Sequence, residues 1–262
     1  MKLGILLLII LVSVTFTLSY KPVVLIHGFM TGSGSMELIN YRIQEKHPGT
    51  VVYNVNRFES WSSLENMWHQ VLEIGQDVAN ISSMYPDGIN IIGIYILHFY
   101  TKILKSGFLH LVFPGLIKDT AYELFYSRVG QHTSVGNYWN DPYHQNLFMT
   151  YSVFLPYINN HLLSDRSVDF KLNLLKLKRL VLIGGPDDQV ITPWQSSQFG
   201  YYSLNETIIE MKDQDIYLQD RIGLRTLDEE ERLHLVTVPG VNHFSWHMNV
   251  SIIDRYLLQY LD

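Results

Sequence analysis

Apolar runs of strand length punctuate this chain, and helix-sized segments separate them. Val23-Val24-Leu25-Ile26 is unbroken by polar residues, and such a run reads as a strand buried on both faces rather than one lying at a surface. Val51 to Val55 and Ile89 to Ile92 repeat the signal. A helix to about Lys46 is expected after the first run. After the second, Leu64, Trp68, Val71, Leu72 and Val78 recur at helical spacing to about Asn80, behind Ser62-Ser63-Leu64-Glu65, which has the form of a capping box. Strand, helix, strand, helix, strand at these lengths predicts a parallel sheet wound with helices on both faces.

The pattern then breaks and resumes. Residues Ile94 to Phe113 are apolar but interrupted by His98, Lys102, Lys105, Gly107 and His110. Those residues exclude a comfortable membrane span and make a poor buried strand, so a helix or irregular filler is expected. Residues 114–164 are mixed, aromatic and expected to be helical. Leu180 to Ile183 is another buried strand, ending at Gly184-Gly185-Pro186-Asp187-Asp188, and Leu233 to Val238 is the last, ending at Pro239-Gly240-Val241-Asn242-His243. A helix from about Val250 to Leu261 closes the chain.

Composition narrows the class. At 262 residues, 47% hydrophobic and 17% charged, residues 20–262 are expected to form a single α/β domain with a large core. A net charge of -6 with pI near 6.0 excludes the basic surface that a nucleic-acid partner needs. Residues 1–19 read as a secretory signal peptide: Lys2 supplies the positive end, Leu3 to Leu18 the apolar stretch, and Thr17 and Ser19 the small residues before a cut near Tyr20. A membrane anchor is the competing reading, but the run is short and contains Ser13, Thr15 and Thr17. Sequons at Asn80, Asn205 and Asn249 fit a secretory route. The absence of cysteine removes a usual support of secreted domains without excluding secretion. No motif calls for a metal or cofactor.

The candidate chemistry lies at strand ends. In α/β hydrolases the central strand runs into a sharp turn, G-x-S-x-G, that lifts a nucleophilic serine out of the sheet. Here Gly88-Ile89-Asn90-Ile91-Ile92-Gly93 arrives as that strand does, but the chain continues Ile94-Tyr95-Ile96-Leu97, with Tyr95 where the serine belongs and Leu97 where the second glycine belongs. The remaining parts of the pattern are present. Asp187 and Asp188 follow one late strand and His243 follows the last, in the order that lets a carboxylate orient a histidine acting as base. His234, inside a strand, and His247, near the start of the last helix, compete with His243 and look structural. His27-Gly28-Phe29 after the first strand has the form of a loop donating a backbone N–H to an oxyanion hole. Ser134 matches half of the serine turn but follows no buried strand, and Ser33 and Ser35 lie in a glycine loop suited to a turn. No nucleophile replaces the missing one.

Taken together, Pro22 to Met30, Asn137-Tyr-Trp-Asn-Asp-Pro142, Val181 to Ser197, Phe199-Gly-Tyr-Tyr202 and Asn242-His-Phe-Ser-Trp-His247 resemble the lysosomal palmitoyl-protein thioesterases over nearly the whole mature chain. The resemblance implies an α/β-hydrolase fold, Asp188 and His243 as acid and base of a Ser-His-Asp triad, and Phe29 as first oxyanion donor. It further implies long-chain acyl thioesters as substrates, on proteins, peptides or coenzyme A, no cofactor, and no membrane span after signal cleavage. It also sharpens the departures. The family's G-x-S-Q-G-G run is missing, Ile94 to about Gly107 is foreign to the family pattern, and the family's cysteines are gone, with Gly136 at one such position. The expected fold therefore lacks one central strand. A truncated form of an active enzyme is favoured over a non-catalytic binding module for acyl chains or proteins, because Asp188 and His243 have little use without a serine.

Overall fold

The computed structural model describes residues 20–94 and 121–262. The signal peptide, Tyr95 and the filler expected up to Phe113 lie outside the described residues. Strand β1 (Val23–Ile26) is the middle of a three-stranded parallel sheet, flanked by β2 (Val52–Val55) and β3 (Asn90–Gly93). Val23 and Leu25 face Met36, Ile39 and Ile43, the last two from helix α1 (Glu37–Lys46), together with Ile253 and Leu258 of the C-terminal helical stretch. Val24 and Ile26 face the other way, onto Val55 and onto Ile74 and Val78 of helix α2 (Met67–Ser83). Helices thus cover both faces, which is why β1 tolerates no polar position. Arg42 of α1 holds the C-terminal stretch through a fork of two bonds to Asp254, at 2.8 and 2.6 Å, the bidentate arrangement that fixes orientation as well as charge.

The helix following β2 starts later than its sequence suggests. Ser60–Leu64 forms a separate 3-10 turn, and Asn66 caps α2 by accepting from the Trp68 amide at 2.9 Å. Ser62 and Ser63 instead donate to carbonyls of their own turn, Glu59 and Ser60. Two strands expected to be buried are only partly so. Ile91 of β3 is 48% exposed, and β4 (Leu180–Gly184) is half-buried over Leu180 to Ile183. Among the described residues neither has a second neighbour: β3 pairs with β1, β4 pairs with β7 (Leu233–Thr237), and no strand bridges β3 and β4. Between β4 and β7 lie a two-stranded hairpin, β5 (Tyr201–Tyr202) and β6 (Ile208–Ile209), and a satellite core built on Met211, Ile216, Leu224 and Leu227.

The aromatic middle of the chain is helical, as expected, but in short pieces: α3 (Ala121–Phe125), α4 (Ser134–Tyr138), α5 (Gln145–Tyr151) and α6 (Leu155–Ile158). Phe125, Trp139, Phe148 and Phe154 form its core. Such short helices leave many end groups to satisfy. Gln131, buried among them, donates to the carbonyls of Phe125 and Gly136 at 2.7 and 2.8 Å and accepts from the Val153 amide at 2.9 Å. Helices α7 (Ser167–Leu175), α8 (Asp215–Leu218) and α9 (Leu224–Glu229) complete the order before β7.

Candidate active site

The carboxyl ends of β1, β3, β4 and β7 carry the candidate residues, where parallel sheets place their ligand sites. The register that pairs Gly184 with Thr237 brings the two loops that follow into contact. Gly185 must be bare, since a Cβ there would lie 2.0 Å from the Val238 carbonyl oxygen. Beyond it, Asp188 and His243 meet twice. The His243 amide donates to the Asp188 carbonyl at 3.0 Å, and its Nδ1 lies 3.0 and 3.1 Å from the two carboxylate oxygens. Asp187, the other half of the acidic pair, turns outward and accepts from the Gly240 amide at 2.7 Å.

Asp188 is buried, which by itself would push its carboxyl up. The donors facing it outweigh burial: His243, the Ile191 amide at 2.7 Å and the Trp246 indole nitrogen at 2.7 Å hold the group below the usual carboxylate range. An ionised Asp188 fixes the proton of His243 on Nδ1 and leaves Nε2 as the basic atom. Among the described residues Nε2 has no hydrogen-bond partner. The competing histidines lie elsewhere in role. His234 sits within β7. His247 is in the turn before the last helix with its Nδ1 enclosed and unpartnered, and burial, then the charge of His243, depresses it.

The other sequence candidates are placed as follows. Gly28 approaches the end of β3, with its notional Cβ 3.0 Å from the Ile94 carbonyl oxygen. Phe29 packs against the aromatic cluster that also includes Ile191, so the loops after β1 and β4 share one apolar floor. A cavity of about 260 Å³ opens beside them, walled by Ile26, Phe29, Met67, Val71, Ile74 and Val78. Asp188 and His243 do not line it. Ser134 does, but its hydroxyl is committed to the Ser63 carbonyl at 2.7 Å. Ser33 and Ser35 make turn contacts to Glu59 and Gly32. Asn80 is exposed on α2, Asn205 is exposed in the β5–β6 turn, and Asn249 caps the last helix with its side-chain oxygen. Sequence reasoning missed Trp246. An indole three residues beyond a histidine carries no signal until the Asp188 loop is folded beside it. Among the described residues no cluster of three or more metal-ligating side chains occurs, and no helix is long and apolar enough to cross a membrane.

A model of the palmitoyl protein thioesterase family matches residues 22–95 and 99–243. This chain belongs to that family. Among curated relatives, a protein of Drosophila melanogaster named as a lysosomal thioesterase PPT2 homolog is 42% identical, over 95% of both chains. The human lysosomal thioesterase PPT2 is 34% identical, over 93% of this chain and 88% of its own. A palmitoyl-protein thioesterase 3 of Dictyostelium discoideum is 29% identical over 88% of each. The family match is interrupted only between residues 95 and 99, a narrower break than the foreign stretch expected from Ile94 to Gly107. The alignment with the Drosophila relative runs over 273 residues, more than the 262 of this chain. That relative therefore carries residues for which this thioesterase-family chain has no counterpart.

Proposed function

We propose that this chain descends from lysosomal hydrolases of long-chain acyl thioesters that work through a Ser-His-Asp triad, and that it keeps the acid and base while lacking the nucleophile. The observation that carries this is the doubly fastened pair Asp188 and His243, with Nε2 left as the base. In the complete reaction His243 would take the serine proton as the hydroxyl attacks the thioester carbonyl and pass it to the departing thiol; it would then take a proton from the water that attacks the acyl-enzyme and give it to the serine as the fatty acid leaves. Phe29 would supply one oxyanion donor. Tyr95 in the serine position, the family match broken after residue 95 and the surplus length of the Drosophila alignment all support loss of the serine turn and of the strand after it. The substrates would be S-acylated proteins or acyl-CoA. Residues 1–19 would be removed on entry to the secretory pathway, and Asn80, Asn205 and Asn249 would be open to glycosylation.

The test is direct. The chain as it stands should neither label with a fluorophosphonate nor hydrolyse palmitoyl-CoA measurably. Robust labelling would reveal a nucleophile, and mapping the adduct would locate it. The cavity beside Phe29 favours one second reading, an acyl-binding module without turnover. Palmitate binding that survives His243→Ala would select it.

A further inference from the structure

A second cavity, of about 120 Å³, lies where α5, the Asn159-to-His161 turn, the approach to β5 and α8 converge. It shares no lining residue with the cavity beside Phe29, and its walls carry no ionised side chain. Its polar atoms are few and their roles are fixed by their neighbours. Arg221 Nη1 lies 2.6 Å from His161 Nδ1. A guanidinium can only donate, so Nδ1 accepts and His161 presents an Nε2–H donor. The Gln214 amide nitrogen is spent on the carbonyls of Phe199 and Ile209 at 2.6 and 3.0 Å, leaving its oxygen as an acceptor. The Gln145 nitrogen faces Asn140 Oδ1, the Asp141 carbonyl and the Tyr201 hydroxyl at 2.7 to 2.9 Å, so its oxygen too is left over. Asn159 is 9% exposed, and its side-chain amide makes no hydrogen bond to the described residues.

We propose that this cavity binds one neutral sugar ring. A charged ligand would find no opposite charge in the wall, and the Arg221 charge behind His161 is answered by Asp215 at 3.2 Å. An apolar ligand would strand the Asn159 amide, the His161 donor and two amide oxygens, at about 1–3 kcal/mol for each unpaired group. Ring hydroxyls both donate and accept, which matches this mixed set, and the C–H face of a pyranose suits the half-buried ring of Phe199 in the wall. The volume admits a single ring, free or at the end of a glycan.

Methyl-labelled full-length chain, titrated with methyl glycosides of mannose, galactose, glucose and N-acetylglucosamine, tests this. Met149 and Ile216 line the cavity, and their methyl resonances should shift saturably with at least one of these sugars. Asn159→Ala removes no side-chain hydrogen bond among the described residues and should weaken that sugar about tenfold, the loss expected of one buried polar contact. Tighter binding of a glycopeptide ending in the same residue would assign the source to a glycan; equal binding would assign it to free sugar. No saturable shift with any of the four up to about 50 mM, far above a millimolar dissociation constant, would overturn the proposal. So would shifts that Asn159→Ala leaves unchanged.

Discussion

The indole nitrogen of Trp246 donates to Asp188 at 2.7 Å, onto the same carboxylate that holds His243. Asp188 thus gathers two side-chain donors and the amides of Val190 and Ile191. Removing it leaves all four without an acceptor. Asp188→Ala should destabilise the fold by roughly 3–5 kcal/mol, the cost of breaking a buried charged network. Trp246→Phe should cost about 1.5–3 kcal/mol, one hydrogen bond to a charged group. Asp187→Asn, exposed and holding one turn amide, should stay within about 0.5 kcal/mol. Urea unfolding of the three variants checks the ranking. Equal effects at 187 and 188 would contradict it.

A chain with the serine turn and its following strand restored should regain thioesterase activity by about six orders of magnitude, the span between an intact serine triad and one without its nucleophile. Asp188→Asn and His243→Ala in that restored chain should each abolish most of the gain. Palmitoyl-CoA turnover measures it. Restored labelling by a fluorophosphonate that is indifferent to His243→Ala would remove this histidine from the base role.

The split sheet has a physical cost. Ile91 on β3 and Leu235 on β7 are 48% and 43% exposed, and β3 and β4 each keep an unpaired edge among the described residues. Unpaired parallel edges and open apolar faces template association. The purified chain should bind a hydrophobic dye in native buffer and unfold with a low denaturant slope for its length. A single sharp transition without dye binding would show a closed sheet.

Much of this architecture was legible in the sequence because β1 obeys a simple rule. A run without polar positions needs helices on both sides, and α1 and α2 supply them. The ends of β4 and β7 were legible because glycine and proline follow each run, at Gly184-Gly185-Pro186 and Pro239-Gly240, and these fix where Asp188 and His243 stand in the chain. Burial of β3 and β4 was misjudged because a pattern states what a strand requires, not which neighbour arrives. The start of α2 was misplaced because Ser62 and Ser63 bond within their own turn and leave the cap to Asn66. Trp246 acts across 58 residues, onto Asp188, and nothing beside it in the sequence points to that carboxylate.

His161 gives the chain a pH dependence in a window that its carboxylates leave quiet. Burial first, then the adjacent Arg221 charge, pushes this imidazole down to about 4, with Asp215 opposing. In the unfolded chain it titrates near 6.5, so there the unfolded state binds more protons than the folded one. Stability is therefore complete above about pH 6.5 and declines as the pH falls toward 4, by at most about 1.4 kcal/mol per pH unit for this one group. His247, lowered by burial and then by His243, pulls the same way. Asp188, Asp220, Asp228 and Asp254 are all held below the ordinary carboxylate range; their contribution is intact above about pH 5 and is lost progressively below it. Urea midpoints should accordingly drop between pH 6.5 and 4.5. His161→Gln, whose amide oxygen can still accept from Arg221, should flatten that drop, while an unchanged slope in this variant would assign the dependence to other groups.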